Sequence, residues 1–430
     1  ASARCTSVYL VDRRIDMLPR LLTTDICSLR AGGDRLTFSA VFEVTPDAEV
    51  VGETFCKAVI KSAAAMSYGE AQERLESGPE DTSPMTVAVR SLNKIAVQLR
   101  AQRMAVGALE LESDELKFEV DSESQLPTSI FKKETHSTNK LIEEFMLLAN
   151  RRVATRISSD FRKLSLLRLH PPPEDEPMAD LKKLLESHGM HNFRWETNKA
   201  LAESLDLVEK PDDPFFNHLV RVMTTRCMQE ANYFCTGTMV ESLWCHYGLA
   251  MAKYTHFTSP IRRYADVLVH HFLAASLGIK PLPAELSTKE TICPQVDVIN
   301  EKNRNARWAA FASTDLHQYL FFKNQGPKEV EGVVMRVMDG SVQVVAEEFG
   351  TQGVVDMSAM DWKVIKEKQT AIGRPLSPFE GISIRIFDRV NVRIEADEQE
   401  GRHRKLKFTL LGLPSGEKVE QPDEAMSVPG

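Results

Sequence analysis

Two consecutive arginines, Arg262 and Arg263, are the residues whose type and spacing indicate chemistry most directly in this sequence. They follow Ser259-Pro260 within the segment Tyr254-Thr-His-Phe-Thr-Ser-Pro-Ile-Arg-Arg-Tyr-Ala-Asp266. Serine is a favoured N-cap and proline a favoured first helical residue, so the sequence predicts a helix from here to about Leu277. A helix N-terminus attracts anions, and arginine adds paired donors that fit a phosphate. The alternative is an N-cap followed by two surface arginines that bind nearby carboxylates.

The composition limits the classes of protein that the chain could represent. Its 430 residues, of which 43% are hydrophobic and 27% charged, allow two or three ordinary globular domains. The formal net charge of −8 does not by itself favour nucleic acid, so a binder with this balance must concentrate its basic residues in one place. The sequence has no uninterrupted apolar stretch long enough to predict a transmembrane helix, and no membrane partner is expected.

The seven cysteines are an odd number at irregular spacing, which is typical of a reducing compartment. Three of them, Cys227, Cys235 and Cys245, lie close to His246 in the sequence. A zinc site could be built from such residues, but no Cys-x-x-Cys pair is present. We therefore interpret the three as buried, unpaired thiols.

The elements that must position the arginines are a mixture of strands and helices. Residues 36–42 alternate apolar and polar side chains, as a strand with one buried face does, and residues 54–61 are the expected partner strand. Residues 7–10, 116–120 and 166–170 are shorter strand candidates. Apolar residues at helical spacing predict helices at 68–76, 84–108, 141–154, 180–186, 198–205, 217–229 and 303–322.

The pattern changes at Gly326-Pro327, after which the chain is β-like to Leu411. Short strand candidates lie at 330–337, 342–346, 353–355, 381–387, 390–394 and 405–410, which is typical of a small closed barrel. Residues 412–430 are acidic and contain proline, so we expect them to be disordered.

Basic residues are concentrated in the last strands of this predicted barrel. They could form a groove for single-stranded RNA, with Phe349 and Phe387 stacking on bases; the alternative is that Phe387 belongs to the core and that half of the charges pair with acidic neighbours. The basic residues are Arg385, Arg389, Arg393, Arg402, Arg404, Lys405 and Lys407, and the acidic neighbours are Glu395, Asp397 and Glu398.

The arginine segment resembles the signature of the RNase II/R (RNB) family of 3′-to-5′ exoribonucleases. Within that family the sequence is most similar to the nuclease subunit of the eukaryotic exosome. Further matching stretches are Val8-Tyr-Leu-Val-Asp-Arg13, Met17-Leu-Pro19, Cys27-Ser-Leu29, Asp34-Arg-Leu-Thr-Phe-Ser39, Met66-Ser-Tyr68, Ala71-Gln72, Ile142-Glu-Glu-Phe-Met-Leu-Leu-Ala-Asn150, His170-Pro-Pro-Pro173, Tyr233-Phe-Cys-Thr-Gly237 and His246-Tyr-Gly-Leu-Ala250. The C-terminal barrel is similar to the S-one-type OB domain of the same proteins.

This resemblance implies a mixed α/β fold in which a sheet flanked by helices is followed by a small OB-fold barrel. Residues 1–325 would be the C-terminal portion of an RNB catalytic domain and residues 326–411 the RNA-binding barrel. In such enzymes RNA enters a narrow channel by its 3′ end, and two Mg²⁺ ions held by four aspartates activate water. The implied partners are single-stranded RNA and the exosome core ring, and the implied location is the nucleus, including the nucleolus, with the cytoplasm as a second location.

The resemblance also assigns roles to particular positions. Arg262 matches the arginine beside the scissile phosphate, and Arg263 is expected to contact RNA with it. Tyr9 and Tyr68 match aromatic residues that stack on nucleotides, and Phe118 is a candidate for the second side of the clamp on the terminal base.

Other assigned positions also have structural alternatives. Glu143 or Glu144 would contact the terminal ribose, although both could belong to a solvated helix face. Arg385 and Arg404 would contact RNA from the barrel. For Tyr9 and Phe118 the alternative is core packing, and for Tyr68 it is a helix start.

One departure from the family pattern affects the activity expected of this chain. The aspartates of the family form an Asp-x-x-x-x-x-Asp-Ile-Asp-Asp-like motif upstream of the position that Tyr9 matches, and only eight residues precede Tyr9 here. Asp12, Asp16 and Asp34 are isolated and do not form such a cluster. We therefore expect this chain to be part of a longer enzyme and to be inactive alone. The alternative is a non-catalytic remnant that binds RNA or serves as a scaffold.

Overall fold

The structure is a computed structural model that describes residues 1–111, 115–121, 123, 126–358, 362–365, 370–373, 383–397 and 404–414. The chain forms two units, Ala1–Ser113 with Glu134–Ala310 and Asp114–Lys133 with Phe311–Gly430. The domain boundaries expected from the sequence, 1–325 and 326–411, stay predictions. Residues 415–430, most of the expected acidic tail, lie outside the described residues, and so do Glu398 and Arg402.

Helices and strands of both units are numbered in chain order. The helices are α1 (Tyr68–Glu76), α2 (Pro84–Ala105), α3 (Ser137–Asp160), α4 (Asp175–Ser187), α5 (Asn198–Leu207), α6 (Pro214–Arg226), α7 (Tyr264–Ser276) and α8 (Lys289–Gln325). The strands are β1 (Val8–Tyr9), β2 (Arg14–Ile15), β3 (Asp34–Val44), β4 (Val50–Lys61), β5 (Leu116–Val120), β6 (Pro127–Lys132), β7 (Leu166–Leu169), β8 (Asn232–Cys235), β9 (Lys328–Met338), β10 (Ser341–Ala346), β11 (Thr351–Asp356), β12 (Trp362–Ile365), β13 (Thr370–Gly373), β14 (Ser383–Arg385), β15 (Arg389–Asp397) and β16 (Lys405–Gly412).

In the first unit, antiparallel ladders pair β1 with β2, β3 with β4, and β7 with β8. The main core lies where α3 and α7 pack with the β7–β8 pair. Ile157 of α3, Leu166 of β7 and Phe272 of α7 are fully buried there. Removing such apolar surface from water is the dominant stabilising term, and it fixes the ends of β7 and β8 relative to α7.

The helix expected to open at Ser259 begins later, at Tyr264, and that prediction is wrong. Residues 260–262 form a turn, and Arg263 is extended, with φ −136° and ψ 123°. The competing interaction comes from the beginning of the chain: Arg263 bridges to Thr6, and the Tyr264 N–H donates to the Cys5 carbonyl at 2.8 Å. Backbone pairing with a distant segment therefore overrides the local capping signal.

Other helix predictions need smaller corrections. Helix α4 begins at Asp175, five residues before the expected start, because acidic residues are favourable in a first helical turn. In α3 the helical spacing of apolar residues predicts that Ile142 and Val153 share one buried face, but Ile142 is exposed, and Leu141 and Leu148 are buried instead. The polar residues Glu144 and Asn150 lie on that buried side, and their presence obscured it in the sequence.

The second unit contains a closed barrel with strand order β9–β10–β11–β16–β15 and back to β9. All neighbours are antiparallel except β11 and β16, which are parallel. This arrangement is consistent with an OB fold. A separate three-stranded sheet, β12–β13–β14, lies between β11 and β15 in the sequence, and its first two strands were not expected.

None of the helices among the described residues has both the length and the hydropathy needed to cross a bilayer.

Packing inside the barrel predicts a strong effect at Gly353, on β11. A Cβ at this position would overlap the buried ring of Phe408 on the neighbouring strand β16. We expect Gly353→Ala to lower the free energy of unfolding by about 1–3 kcal/mol, because overpacking forces the ring out of place. Gly69→Ala in α1 is the control, since a Cβ there meets only Ser67 Oγ at 4.0 Å. Urea unfolding of both variants measures the difference, and equal stabilities would contradict the prediction.

Candidate nucleic-acid interface

The turn that carries the two arginines is organised by Asp266, whose side chain is fully buried. Its Oδ1 accepts hydrogen bonds from the Ser259 N–H at 2.7 Å and from Arg263 Nη2 at 2.9 Å. Its Oδ2 accepts a third from Arg263 Nε at 2.7 Å. The carboxylate therefore closes the turn and engages the Arg263 guanidinium through two donors, the strongest geometry for such a pair.

Segment 254–258, which leads into this turn, is held by side chains of α3 and α7. The buried amide of Asn150 accepts hydrogen bonds from the N–H groups of Phe257 at 2.8 Å and Thr258 at 3.3 Å, and it donates to the Tyr254 hydroxyl at 3.2 Å. The His270 ring nitrogen Nε2 bonds to the Phe257 carbonyl at 2.8 Å. One buried asparagine thus supplies partners to three groups that would otherwise be unsatisfied.

The beginning of the chain closes the same turn from its other side. The Ser7 N–H donates to the Arg262 carbonyl at 3.0 Å, and the Thr6 hydroxyl donates to the same oxygen at 3.3 Å. Two residues further on, Tyr9 ends the short strand β1 with 48% of its surface exposed. This pairing brings Tyr9 and Arg262 to one cavity, although 253 positions separate them in the sequence.

The cavity has a volume of about 300 Å³ and lies wholly within the first unit. Its wall is rich in guanidinium, amide and aromatic groups, a mixture suited to an anionic and partly aromatic ligand. The lining residues are Thr6, Ser7, Tyr9, Arg168, Ala231, Asn232, Tyr233, His256, Arg262, Arg263, Asn300, Asn303, Ala306, Arg307 and Ala310.

Two of the four arginines in this wall have carboxylate partners. Arg263 pairs with Asp266, and Arg307 pairs with Glu230 at 2.7 Å on the surface. Arg168 lies over the ring of Tyr233, 4.9 Å from its centroid, because the two residues are direct cross-strand neighbours in the β7–β8 ladder. The Arg262 side chain completes the cationic wall.

A hydrogen bond of 2.5 Å joins the Tyr233 hydroxyl to His256 Nδ1 at this wall. Burial raises the pKa of Tyr233 to about 12. Burial also lowers the pKa of His256 well below its usual value, and the nearby Arg263 and Arg168 lower it further. Both side chains are therefore neutral near pH 7 and contribute hydrogen bonds, but no charge, to the cavity.

Behind His256 the aromatic side chains continue into the interior as a column of rings. Tyr254 contacts His256 and His246 edge to face, with centroids 5.4 and 5.2 Å apart, and His246 lies 5.1 Å from His170. Burial lowers the pKa of His246 to about 3. In His170, Nδ1 accepts a hydrogen bond from the Gly248 N–H at 3.0 Å, which requires the neutral ring, and the His170 pKa is lowered mainly by burial.

The structure places the remaining predicted RNA contacts in different surroundings. Tyr68 is 46% exposed at the first position of α1, directly after the Ser67 cap. Phe118 belongs to the second unit, where its ring packs against His317 with centroids 5.8 Å apart. The predicted contacts of Tyr68 and Phe118 with RNA stay predictions.

The two glutamates that the sequence left as alternatives are now distinguished by their surroundings. Glu144 is buried and accepts two hydrogen bonds from Arg103, one of them from Nε at 3.2 Å. Glu143 has 47% of its side chain exposed and lies 3.5 Å from Arg103. Of the two, Glu143 is therefore the one with a carboxylate accessible to a ligand.

In the barrel, the basic residues that the sequence grouped together are largely paired across strands. Arg389 contacts Glu331, Arg393 contacts Glu329, and Lys407 contacts Glu395 at 3.1 Å. The first two pairs follow from the register of the β9–β15 ladder. Arg393 lies directly opposite Glu329, and Arg389 lies two positions before Asn391, the residue opposite Glu331.

The other predicted barrel contacts fall into an exposed and a buried set. Arg385 lies 3.9 Å from Asp388, and Arg404 is exposed. Phe349 and Phe387 are buried, and Phe349 packs on Phe322 with centroids 5.3 Å apart, so base stacking by these two rings is not supported.

Several side chains of the cavity were not selected from the sequence. Arg168 could have been noticed as the single charged residue in the buried strand β7, and His256 lies inside the arginine segment itself. Asn303 and Arg307 face the cavity from α8, one helical turn apart, and only the tertiary structure brings this helix to the turn.

Metal binding by the cavity can be tested against its donor set. Mg²⁺ prefers carboxylate, carbonyl and water oxygens, whereas this wall presents cations, amides and neutral rings. Asp266, the carboxylate beside the wall, is already bonded to Arg263 and Ser259. Over the described residues, no group of three or more His, Cys, Asp and Glu side chains is placed to hold a metal ion. The residues present do not fit a magnesium site.

The cysteines near His246 do not share one environment. Cys235 is buried, Cys227 is partly buried with its pKa raised to about 11 by burial, and Cys245 is exposed. The prediction of a buried thiol is therefore confirmed for Cys235 and is wrong for Cys245.

Similarity to known proteins gives independent evidence on the family and the fold. The family model of the RNB domain matches residues 1–279. The exosome complex exonuclease RRP44 homolog A of Arabidopsis thaliana is 42% identical over 417 residues, which are 96% of this chain and 44% of that protein. This chain therefore spans less than half the length of that relative.

Among solved structures, RNase R of Mycoplasma genitalium in complex with ribose-methylated single-stranded RNA superimposes with a TM-score of 0.81. The two are 21% identical, and the match covers 95% of this chain and 63% of that one. Yeast Ssd1, described as a pseudonuclease, has a TM-score of 0.75 at 16% identity and covers 95% of this chain and 61% of its own. At these identities the two structures show the fold alone.

The buried pair at the turn predicts a large effect on stability. We expect Asp266→Asn to lower the free energy of unfolding by about 3–5 kcal/mol, because the Arg263 cation is left buried without its counter-charge. Asp180→Asn is the control, since Asp180 and its partner Lys183 are 68% and 75% exposed. That change should cost less than about 0.5 kcal/mol. Urea unfolding distinguishes the two, and a similar small cost at both positions would contradict the prediction.

The buried histidines predict a loss of stability in mild acid. A histidine with a folded-state pKa far below the unfolded value of about 6.5 takes up a proton on unfolding, so its contribution to stability is lost as pH falls below that value. Two such groups, His246 and His256, should together lower the free energy of unfolding by roughly 3 kcal/mol between about pH 7.5 and about pH 5.5.

Denaturant unfolding at the two pH values measures this loss. His246→Gln should remove about half of the loss assigned to His246 and His256, and the same change at the exposed His191 is the matched control. If the His191 variant lost the pH dependence of the free energy of unfolding and the His246 variant kept it, the buried histidines would not be the source of that dependence.

Proposed function

The chain belongs to the RNB-domain family, and on this premise we propose that it is part of a 3′-to-5′ hydrolytic exoribonuclease that degrades or trims single-stranded RNA. The observation that carries the proposal is the cavity in which the exposed ring of Tyr9 and the guanidinium of Arg262 share one wall. A stacking surface beside a cation is the minimum arrangement needed to hold a nucleotide by its base and its phosphate.

Arg262 is the residue that we assign to the phosphate. Its backbone is fixed by Ser7 and Thr6, so the side chain starts from a defined position at the cavity wall. A preorganised guanidinium offsets the negative charge that develops on a phosphodiester under attack without reorganising in the transition state. Arg168 and Arg307 add positive potential to the same wall, which favours entry of the polyanionic chain.

Metal chemistry in the full-length enzyme is a separate proposal. RNB exonucleases are generally metal-dependent, and we assign Mg²⁺ to this enzyme with ligands on residues that the present chain does not carry. The described part of this chain supplies binding groups and no set of metal ligands, so we propose that it binds RNA without cleaving it.

The assembly and the location of the full-length protein are further proposals. A relative named as an exosome complex exonuclease supports the exosome core ring as a partner of the full-length protein. We propose a nuclear location, including the nucleolus, with the cytoplasm as a second one. In the barrel, the OB fold and the exposed Arg404, with Arg385 near the same strands, support an accessory contact with single-stranded RNA.

A second candidate function is RNA binding without catalysis in the full-length protein as well. The observation that favours it is that the same fold occurs in a protein described as a pseudonuclease. Fold likeness therefore does not decide between a catalytic and a non-catalytic protein. The deciding feature is whether the full-length protein contains metal-binding carboxylates.

The first experiment uses the purified chain with end-labelled single-stranded RNA, with and without Mg²⁺, and follows both binding and shortening. We expect binding in both conditions and shortening in neither. Magnesium-dependent shortening would mean that the metal ligands lie within these 430 residues and would overturn the assignment of the metal site. An absence of binding would overturn the proposal that the cavity binds RNA.

The role of Arg262 gives a more specific prediction. Arg262→Ala should weaken RNA binding about tenfold at low salt and reduce the slope of log affinity against log salt by about 1, because one phosphate contact is lost. Arg194→Ala is the matched control, since this exposed arginine pairs with Glu203 on the surface and lies outside the cavity. A salt slope that does not change in Arg262→Ala would show that this side chain does not contact phosphate.

A further inference from the structure

We propose that His256 selects ribose over deoxyribose by donating its Nε2–H to the 2′-hydroxyl group of the nucleotide held in the cavity. The inference rests on the proposed function, because it assumes that RNA occupies this cavity. His256 would then be a specificity-determining residue, and its role as a donor depends on the hydrogen bond between its Nδ1 and Tyr233.

The tautomer of His256 follows from its contact with Tyr233. The two heavy atoms, Tyr233 Oη and His256 Nδ1, are 2.5 Å apart. This separation is shorter than the 2.7–3.2 Å typical of an N–H donor, and O–H donors form the shorter hydrogen bonds, so the distance favours the phenol O–H as the donor. The phenol is therefore the donor and Nδ1 the acceptor. The proton of the neutral imidazole then resides on Nε2, the ring nitrogen that remains for the cavity.

The charges around this pair keep it in that state. Arg168 lies over the Tyr233 ring, and Arg262 and Arg263 belong to the same wall, so a positive charge on the imidazole would be opposed from several sides. The pKa values of both side chains agree with a protonated phenol and a neutral imidazole. Besides its amide and hydroxyl groups, the wall therefore offers charged guanidinium groups that suit phosphate and the neutral N–H of His256, which suits a hydroxyl oxygen.

The imidazole is also held rigidly, as a specificity contact requires. Asn300 of α8 bonds to both backbone groups of Tyr233, accepting from its N–H and donating to its carbonyl, each at 2.9 Å. The residue before His256, Thr255, is buried and donates its hydroxyl to the Leu166 carbonyl at 2.7 Å. Tyr254 packs its ring edge to face with the imidazole. The donor and its support therefore belong to the β7–β8 pair and to the segment beside it.

A fixed neutral donor discriminates between the two sugars because it loses its partner with only one of them. Ribose offers the 2′-oxygen as an acceptor, whereas deoxyribose leaves the N–H facing a carbon. A donor left unpaired in a partly buried wall costs more than the bond would gain, so the difference appears as weaker binding of DNA. Phosphate contacts with Arg262 are the same for both polymers and do not contribute to the difference.

The test measures binding of the purified chain to single-stranded RNA and to DNA of matched sequence, at fixed salt and without divalent cations. The unaltered chain should prefer RNA. His256→Phe keeps a ring of similar size but has no donor. It should bind RNA about tenfold more weakly, whereas its affinity for DNA should not fall, because no unpaired donor is left facing the deoxyribose. Tyr233→Phe keeps the ring under Arg168 but removes the hydroxyl that bonds to His256 Nδ1. The proton of His256 is then no longer held on Nε2, so this variant should lose part of its preference for RNA over DNA. Arg262→Ala is the control, which should weaken both polymers equally.

A second measurement begins with the unaltered chain and varies the RNA instead of the protein. RNA carrying a single 2′-deoxy substitution at each of the last few positions should bind the unaltered chain about tenfold more weakly at one position. That same substitution should have no further effect in His256→Phe. Equal losses for RNA and DNA in His256→Phe, or an absence of any sensitive position, would overturn the assignment. In either case RNA would still bind, so the proposed function would stand, whereas failure of the unaltered chain to bind RNA would remove both.

Discussion

The buried carboxylate of Asp266 is the interaction on which the site depends. It satisfies the Ser259 N–H and both donors of Arg263 within one fully buried position, so the turn between them has a single arrangement. A carboxylate in such a position is tolerated only when it is fully bonded. Because the turn is fixed in this way, the Arg262 carbonyl is available to the strand at the start of the chain, and the Arg262 side chain faces the cavity.

The neighbouring residues Arg262 and Arg263 consequently have different roles. Arg263 has a structural role, since its side chain is 15% exposed and its guanidinium is bonded to Asp266. Arg262 contributes its backbone to the fold and its side chain to the cavity. The same division occurs in α3, where Glu144 is committed to Arg103 and Glu143 keeps an exposed carboxylate. In both pairs the residue with the buried partner positions the element, and its neighbour is left for a ligand.

The electrostatics of the cavity resolve an apparent conflict with the composition. The chain as a whole carries a formal charge of −8, yet four arginines lie in the wall of one cavity of about 300 Å³. Carboxylates partner two of them, and the aromatic ring of Tyr233 partners a third, so the cations are held together without strong mutual repulsion. Neutral imidazole and phenol groups fill the space between them because burial prevents either from ionising. In the barrel, by contrast, cross-strand glutamates reduce the basic character that the sequence suggested.

The sequence by itself determined the family, the mixed α/β character, the bounds of α1 and β5, and the presence of a C-terminal barrel. The family followed from the motifs that resemble its signature. The other features depend on local periodicity, capping and turn chemistry, which a single stretch of chain contains in full. Only the tertiary structure decided that the helix after the arginines begins at Tyr264, that Glu144 is buried, and that Arg168, His256 and Arg307 share a wall with Tyr9. Those outcomes depend on partners that are distant in the sequence, such as Arg103 for Glu144, Asn150 for Phe257 and Thr6 for Arg263. Capping and propensity contribute about 1 kcal/mol, which buried hydrogen bonds and ion pairs between distant segments readily exceed.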